Sequence, residues 1–321
     1  MKIYIVALNE KYPILDLIKG TNRFNEDSIE GLLTEFVVSN EFDAEVYLIA
    51  HDAIHFQKSE LALKKIKELA RVKPVLVSDC GDFPANLKIP NVYSLRNSFP
   101  PGQKPNNAIA IPYNVKSRTH LQKRNYSEKP FISFVGFKPK ILSRRLIPKS
   151  FAHLMHPIIS NGSIIRSAGI RSLGKINESI LISRGHYGGA RSLIPDLKKF
   201  EEEYEDSFTR SDLVFTPRGD ANQSARFYEV LSAGRIPVVP ETRIIYPKLI
   251  NTELRPVIIS VKALSGNLKK QVELFWSKLD HNKYKELQEC NRRIYRDYFD
   301  YRKYLINFFS SDIKQISNFV I

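Results

Sequence analysis

Residues 211–241, SDLVFTPRGDANQSARFYEVLSAGRIPVVPE, restrict the possible folds more than any other stretch of the chain. Residues 212–216 are short, apolar and rich in β-branched side chains, and they stop at Pro217, as expected of a strand buried on both faces. A polar turn over 220–223 leads to Ser224, a good N-cap residue. ARFYEVLSA is then a helix-favouring run that ends at Gly234, in the position where a left-handed glycine closes a helix. Residues 236–239 supply the next strand, closed by Pro240. Strand, turn, helix, turn and strand form one βαβ unit, with both strands ending on the same edge and the helix starting there.

In an open parallel sheet, ligands settle beyond the carboxyl ends of the strands, where helix N-termini offer unpaired N–H groups and partial positive charge. That edge carries Arg218, Gly219, Ser224 and Arg226. Two guanidiniums, a hydroxyl and a helix N-terminus converging on one spot suit a diphosphate. Glu229 lies three residues after Arg226, on nearly the same helix face and one turn deeper, where a carboxylate would accept hydrogen bonds from a ribose diol. The plain alternative is an i,i+3 surface pair between Arg226 and Glu229, worth a few tenths of a kcal/mol.

The pattern PRGDANQSARFYEVLSAGRIPVV resembles the donor-site segment of the exostosin-like glycosyltransferases. Its signature there is a strand, Pro-Arg-Gly, a variable turn, Ser-x-Arg-x-x-Glu and Ala-Gly-x-Ile-Pro-Val. Arg218, Gly219, Ser224, Arg226, Glu229, Gly234, Ile236 and Pro237 fall in register, whereas Arg235 stands where the family has a small residue or cysteine. The resemblance is strong over about residues 195–245 and elsewhere follows element order. NAIAIPYNV is similar to the segment that closes the family's first domain, and FISFVG to the first strand of its donor domain.

Before that segment the chain alternates regularly. Strands are expected at 2–8, 44–50 and 74–78, with amphipathic helices at 28–39 and at 59–71, the second capped by Ser59. This is the doubly wound pattern, and its carboxyl edge presents Asn9, His51, Asp52, Asp79 and Asp82. Short strands follow at 92–95 and 108–112. A polar, basic stretch over 116–129 then marks a composition shift. Further strands are expected at 131–136, 163–166, 180–183 and 255–261, and helices at 196–208, 263–279 and 283–309. Arg184, Gly185, His186, Tyr187, Gly188 and Gly189 form a glycine-rich loop that either approaches a base or pyrophosphate or simply turns a corner.

The reading is α/β, with two facing Rossmann-like doubly wound domains, the type B glycosyltransferase architecture that the resemblance implies. Residues 1–125 form the acceptor-side domain, 126–282 the nucleotide-sugar domain, and 283–321 a helical segment packing back across both.

Composition narrows the partners. The 321 residues suffice for two cores, and 43% hydrophobic with 26% charged residues describes a globular chain. No run approaches the ~20 apolar residues of a membrane span. The N-terminus lacks a signal-peptide pattern, and Cys80 and Cys290 give no disulfide framework. Cytoplasmic residence is the expectation, with peripheral contact at the inner membrane left open. The formal charge of +15 favours anionic partners: a nucleotide-sugar, an acidic or lipid-linked acceptor, an anionic membrane or nucleic acid. No nucleic-acid-binding motif accompanies the basic residues. His51 and His55 have the spacing of two imidazoles on one helix face, but no third ligand is evident and no metal site is assigned.

What the resemblance implies is an inverting, metal-independent transfer of a sugar from a nucleotide-sugar, with uridine diphosphate as the expected carrier, to a glycan or lipid-linked oligosaccharide. No separate cofactor is implied, and the setting is synthesis of a surface polysaccharide or glycoconjugate. Inversion calls for one general base on the acceptor side; Asp79 is the first candidate, Asp82 the second and His51 the third. Arg218, Arg226 and the helix N-terminus at Ser224 would neutralise the leaving diphosphate. Of Lys138, Lys140, Arg144 and Arg145, which follow strand 131–136, Arg144 is the candidate to reach a phosphate from the other side, the alternative being a solvated basic helix or turn. Two further readings stay open: a non-catalytic carbohydrate-binding or assembly subunit of the same fold, and a basic nucleic-acid-binding protein.

Overall fold

The computed structural model describes residues 1–19, 31–80, 85, 87–101, 107–137, 162–176, 178–184, 194, 196–219, 221–249, 253–262 and 267–320. The chain divides into two units. Unit 1 comprises Met1–Lys116, Ile244–Glu253 and Asp297–Ile321; unit 2 comprises Ser117–Arg243 and Leu254–Arg296. Each is an α/β body built on a five-stranded parallel sheet.

In unit 1 the strands are β1 (Ile3–Val6), β2 (Val46–Asp52), β3 (Val75–Ser78), β4 (Val92–Arg96) and β5 (Ala108–Ala110), lying side by side in that order. All four residues of β3 and the first six of β2 are buried, as a parallel sheet covered on both faces requires. Helix Glu60–Val72, with Ser59 Oγ accepting from Ala62 N at its start, buries Ala62, Ile66 and Ala70 against one face. Helix Glu60–Val72 covers the face of Tyr47, Ile49, Val75 and Val77, so Ile3, Val46, Leu48, Leu76, Leu95 and Ile109 on the other need a separate cover. The C-terminal segment supplies it: Tyr304, Leu305, Phe308 and Phe309 of helix Tyr301–Ser310, and Phe319 beyond, pack there with Leu32 and Leu33. Tyr304 donates to the Ala110 carbonyl at 2.9 Å, and Val320 forms an antiparallel bridge with Ile109.

In unit 2 the strands are β6 (Ile132–Phe137), β7 (Ser179–Arg184), β8 (Leu213–Phe215), β9 (Ile236–Pro240) and β10 (Ile259–Val261), in the order β10-β9-β8-β6-β7. The chain goes from β6 to one side for β7 and to the other for β8. The sheet therefore has a switch point between β6 and β8. Ile132, Phe134, Leu213, Phe215, Ile236 and Val238 pack with Leu173, Val272, Trp276 and Tyr284 in its core.

Three elements differ from expectation. Residues 163–166 belong to helix Gly162–Leu173 rather than a strand; two adjacent isoleucines suggested β-structure, and burial at 165, 167 and 169 alternates as a strand's would, so the local pattern does not reveal the helix. The described part of the expected helix 28–39 is a run of turns around Gly31, φ 73°, and Val37 leaves it to bridge Ile3 as extended chain. The single helix expected over 283–309 is two, His281–Ile294 and Tyr301–Ser310, separated by a π-helical turn at Tyr295–Phe299. Asp300 restarts the second, its carboxylate accepting from Lys303 N at 2.9 Å.

Candidate functional site

The carboxyl ends of β6 and β8 flank the switch point, and arginines join them. Arg166, on helix Gly162–Leu173, donates from Nη1 to the Phe137 carbonyl at 2.8 Å and from Nε to the Arg218 carbonyl at 3.1 Å. A Cβ on Gly162 would lie 2.3 Å from the Gly219 carbonyl oxygen, so this helix start reaches the edge only as glycine. Arg218 and Gly219 follow β8 and are half-buried. Arg226 reaches across from the next helix, donating from Nη2 to the Val135 carbonyl at 2.6 Å with its guanidinium 4.8 Å from the Phe134 ring centre. A Cβ on Gly136 would sit 3.0 Å from that Nη2. The sequence reading missed Arg166 because it placed the residue in a strand.

The helix itself differs from expectation. It is Arg226–Ser232, seven residues, and Ala225 holds the cap position without any side-chain hydrogen bond. Ser224 is not the N-cap; its backbone carbonyl accepts from Phe227 N at 3.0 Å. With Asn222 donating to the Thr242 carbonyl and Gln223 to the Tyr228 hydroxyl, the turn is held by its own side chains instead of a capping serine. At the far end Gly234, φ 68°, closes the helix as expected, with Gly234 N bonded to Leu231 O and Arg235 N to Val230 O.

Glu229 is engaged from inside unit 2. Arg118 donates to its Oε1 at 2.8 Å and the Tyr204 hydroxyl to its Oε2. Arg118 also meets Glu205 at 3.2 Å and stacks 4.2 Å from the Phe208 ring centre. Burial pulls the Arg118 guanidinium down, but Glu229, Tyr204 and Glu205 outweigh it and raise it. Burial, with Glu229 alongside, pushes the Tyr204 phenol up to about 12. No Arg226–Glu229 ion pair occurs among the described residues, so the plain surface-pair alternative does not describe this helix. A carboxylate has about four acceptor sites, and two donors leave capacity for a diol. Arg235, the departure from the family pattern, is a buried tie: it donates to Phe208 O, Gln288 Oε1 and Gln122 O, and burial pulls it down to about 10.

In unit 1 the candidate bases differ sharply. Asp79, after β3, is 3% exposed, pairs with Arg96 at the end of β4 and accepts from Ala85 N at 3.1 Å. Burial raises its carboxyl against the pull of Arg96 and the Ala85 N–H. It cross-links two strand ends. Asp52 does similar work, accepting from Ser78 Oγ, Cys80 N and Ile54 N. His51 is 1% exposed, and its Nδ1 lies 3.1 Å from the Pro13 carbonyl oxygen. A carbonyl only accepts, so Nδ1 carries a proton. That Nε2 is buried and has no hydrogen-bond partner among the described residues. His51 ends a strand while His55 sits on the short helix Ala53–Phe56, so the two imidazoles do not share a helix face.

Asp82 and Arg144 lie outside the described residues, as do Lys138, Lys140, Arg145 and residues 185–189. A cleft of about 220 Å³ opens at the other edge of the unit 2 sheet, lined by Glu128, Lys129, Glu178, Lys269, Glu273 and Trp276. It precedes β6 and β7, away from the arginines. No described helix is long and apolar enough to cross a membrane.

No family model matches the sequence, and no curated protein matches it, so the exostosin-like resemblance rests on the motif around Arg218 to Pro237. Several solved structures show a distant likeness. TarM is 11% identical with a TM-score of 0.37, covering 78% of this chain and 58% of its own. A glycosyltransferase from Rickettsia africae ESF-5 is 11% identical at 0.40, covering 98% of each chain. The catalytic domain of starch synthase IV from Arabidopsis thaliana, bound to ADP and acarbose, is 11% identical at 0.38, covering 85% and 73%. The chain thus spans less than two thirds of TarM. With the TM-scores of these three below 0.5, the chemistry has to be read from the residues themselves.

Proposed function

We propose that unit 2 holds the diphosphate of a nucleotide-sugar at the β6/β8 switch point and that the protein transfers the sugar, with inversion, to a hydroxyl of a glycan. The observation that carries the reading is the approach of the Arg166 and Arg226 guanidiniums to this edge, tied to the strand ends by the Val135, Phe137 and Arg218 carbonyls. Such fixed positive charge needs no reorganisation as the leaving diphosphate develops its own, which is how preorganised sites lower barriers. The guanidiniums would carry that charge without calling on a metal. Glu229, steadied by Arg118 and Tyr204, would take the ribose diol. Uridine diphosphate is the carrier we favour, on the strength of the motif.

Of the two described candidates for the base we place His51 ahead of Asp79. A buried imidazole nitrogen without a partner is costly; once the side chains that close it off from solvent part, an acceptor hydroxyl would supply the missing donor and then yield its proton to Nε2. Asp79 is already committed to Arg96 and Ala85. The test is turnover with a panel of nucleotide-sugars and glycan acceptors, read as released nucleoside diphosphate. His51→Ala should lower kcat by about 10²–10⁴ while nucleotide binding is kept. Full turnover in that variant would remove His51 from the mechanism, and no turnover with any donor would count against transfer itself.

A further inference from the structure

The outer face of helix Glu60–Val72 in unit 1 has a composition that the transfer reading does not use. Four of the seven large apolar side chains exposed among the described residues stand on this helix or at its ends: Leu61 at 78% and Val72 at 70% on it, Ile54 at 57% before it and Phe42 at 88% beside its end. Phe42 is placed there by Lys73, whose Nζ donates to the Glu41 and Phe42 carbonyls at 2.8 and 3.1 Å. Leu61 and Val72 are eleven residues apart, hence about 20° from a common meridian and about 16 Å along the axis. Lys64 and Arg71 stand exposed on the neighbouring meridian, and Lys58 and Lys67 are exposed beside them. Lys65 shares the face and donates to the Ala7 carbonyl. Four acidic side chains are also exposed here: Glu68 on the stripe between Leu61 and Val72, Glu60 at the helix start, and Glu41 and Asp43 on either side of Phe42.

We propose that this face docks on an anionic lipid bilayer. Apolar tips at the two ends of an outer stripe, beside exposed Lys64, Lys67 and Arg71 and on a helix already anchored by Ala62, Ile66 and Ala70, can lie in a headgroup plane: the tips enter the acyl boundary while ammonium and guanidinium groups meet anionic headgroups. The inference stands whether or not unit 2 takes a nucleotide-sugar. It assigns a lipid surface to a protein whose charge of +15 already favours one.

The test is vesicle flotation of the full chain with phosphatidylcholine alone and with phosphatidylcholine containing phosphatidylglycerol, at low and high salt. The wild type should float with the anionic vesicles only, and raising the salt should release it. The double variant Lys64→Glu, Arg71→Glu should bind at least fivefold more weakly for each residue changed. Leu61→Ser with Val72→Ser should weaken binding about tenfold, from the lost apolar burial. All four positions are exposed, so melting temperatures should stay close to wild type. The proposal is overturned if anionic vesicles do not retain the protein, or if both variants float like the wild type. It is also overturned if the chain proves to be a dimer that Leu61→Ser dissociates, because a second copy would then cover the face.

Discussion

Glu229, Arg118 and Tyr204 make one buried unit in which each polar atom depends on its neighbour. Tyr204 carries a consequence for pH. Its phenol is raised from an ordinary 10 to about 12 by burial and by Glu229, so the folded state keeps a proton that the unfolded chain releases above pH 10. Stability is therefore full below pH 10 and falls as pH rises toward 12. For this group alone the loss is about 1.4 kcal/mol by pH 11. Urea midpoints measured between pH 9 and 11 should show that slope, and Tyr204→Phe should flatten it by about that amount. Little of this unit was legible beforehand. Glu229 and Arg226 were found from their spacing, whereas Arg118 lies 111 residues from Glu229, and no local pattern announces a partner at that distance. His51 and Asp79 show the same limit: both were recognised at strand ends, but only the fold reveals that Arg96 occupies one and that the Nε2 of the other lacks a partner.

At the scale of elements the switch point depends on glycines that let arginines approach. Gly136 is the sharpest case, because a methyl group there would meet Arg226 Nη2 at 3.0 Å and the Phe134 ring at 3.0 Å. Gly136→Ala should leave the melting temperature within a few degrees, since the guanidinium is the flexible end of a long side chain. It should nonetheless weaken nucleoside diphosphate binding about tenfold, the equivalent of one charge-assisted hydrogen bond. Calorimetry on the variant checks both halves. The βαβ unit itself was readable because every local signal agreed: a β-branched run, a proline stop, a helix-favouring segment and a left-handed glycine. Helix Gly162–Leu173 was misread because Ile164 and Ile165 imitate a strand over four residues. Gly169, whose missing Cβ makes room for the Phe215 ring, further obscures the helical pattern.

At the scale of the whole molecule, alternation of strand and helix patterns gave both sheets, but strand order did not follow from it. Unit 1 runs β1 to β5 in sequence, and one face of its sheet is completed by residues after Asp297 together with Leu32 and Leu33. Ending the chain at residue 300 would uncover Ile3, Val46, Leu48, Leu76, Leu95 and Ile109, all 0–3% exposed in the intact fold. We expect that truncation to abolish cooperative unfolding of unit 1 and to bind a hydrophobic dye, while the unit 2 transition is kept; two retained cooperative transitions would contradict the assignment. Unit 2 is where the order reverses, and that reversal brings the arginines together. The most direct measurement is a calorimetric titration of uridine diphosphate into the full chain, wild type beside Arg218→Ala. The account predicts saturable binding to one site, weakened at least tenfold in the variant with its melting temperature unchanged. If no nucleoside diphosphate binds, or if the variant binds as tightly as the wild type, the switch point is not a diphosphate site.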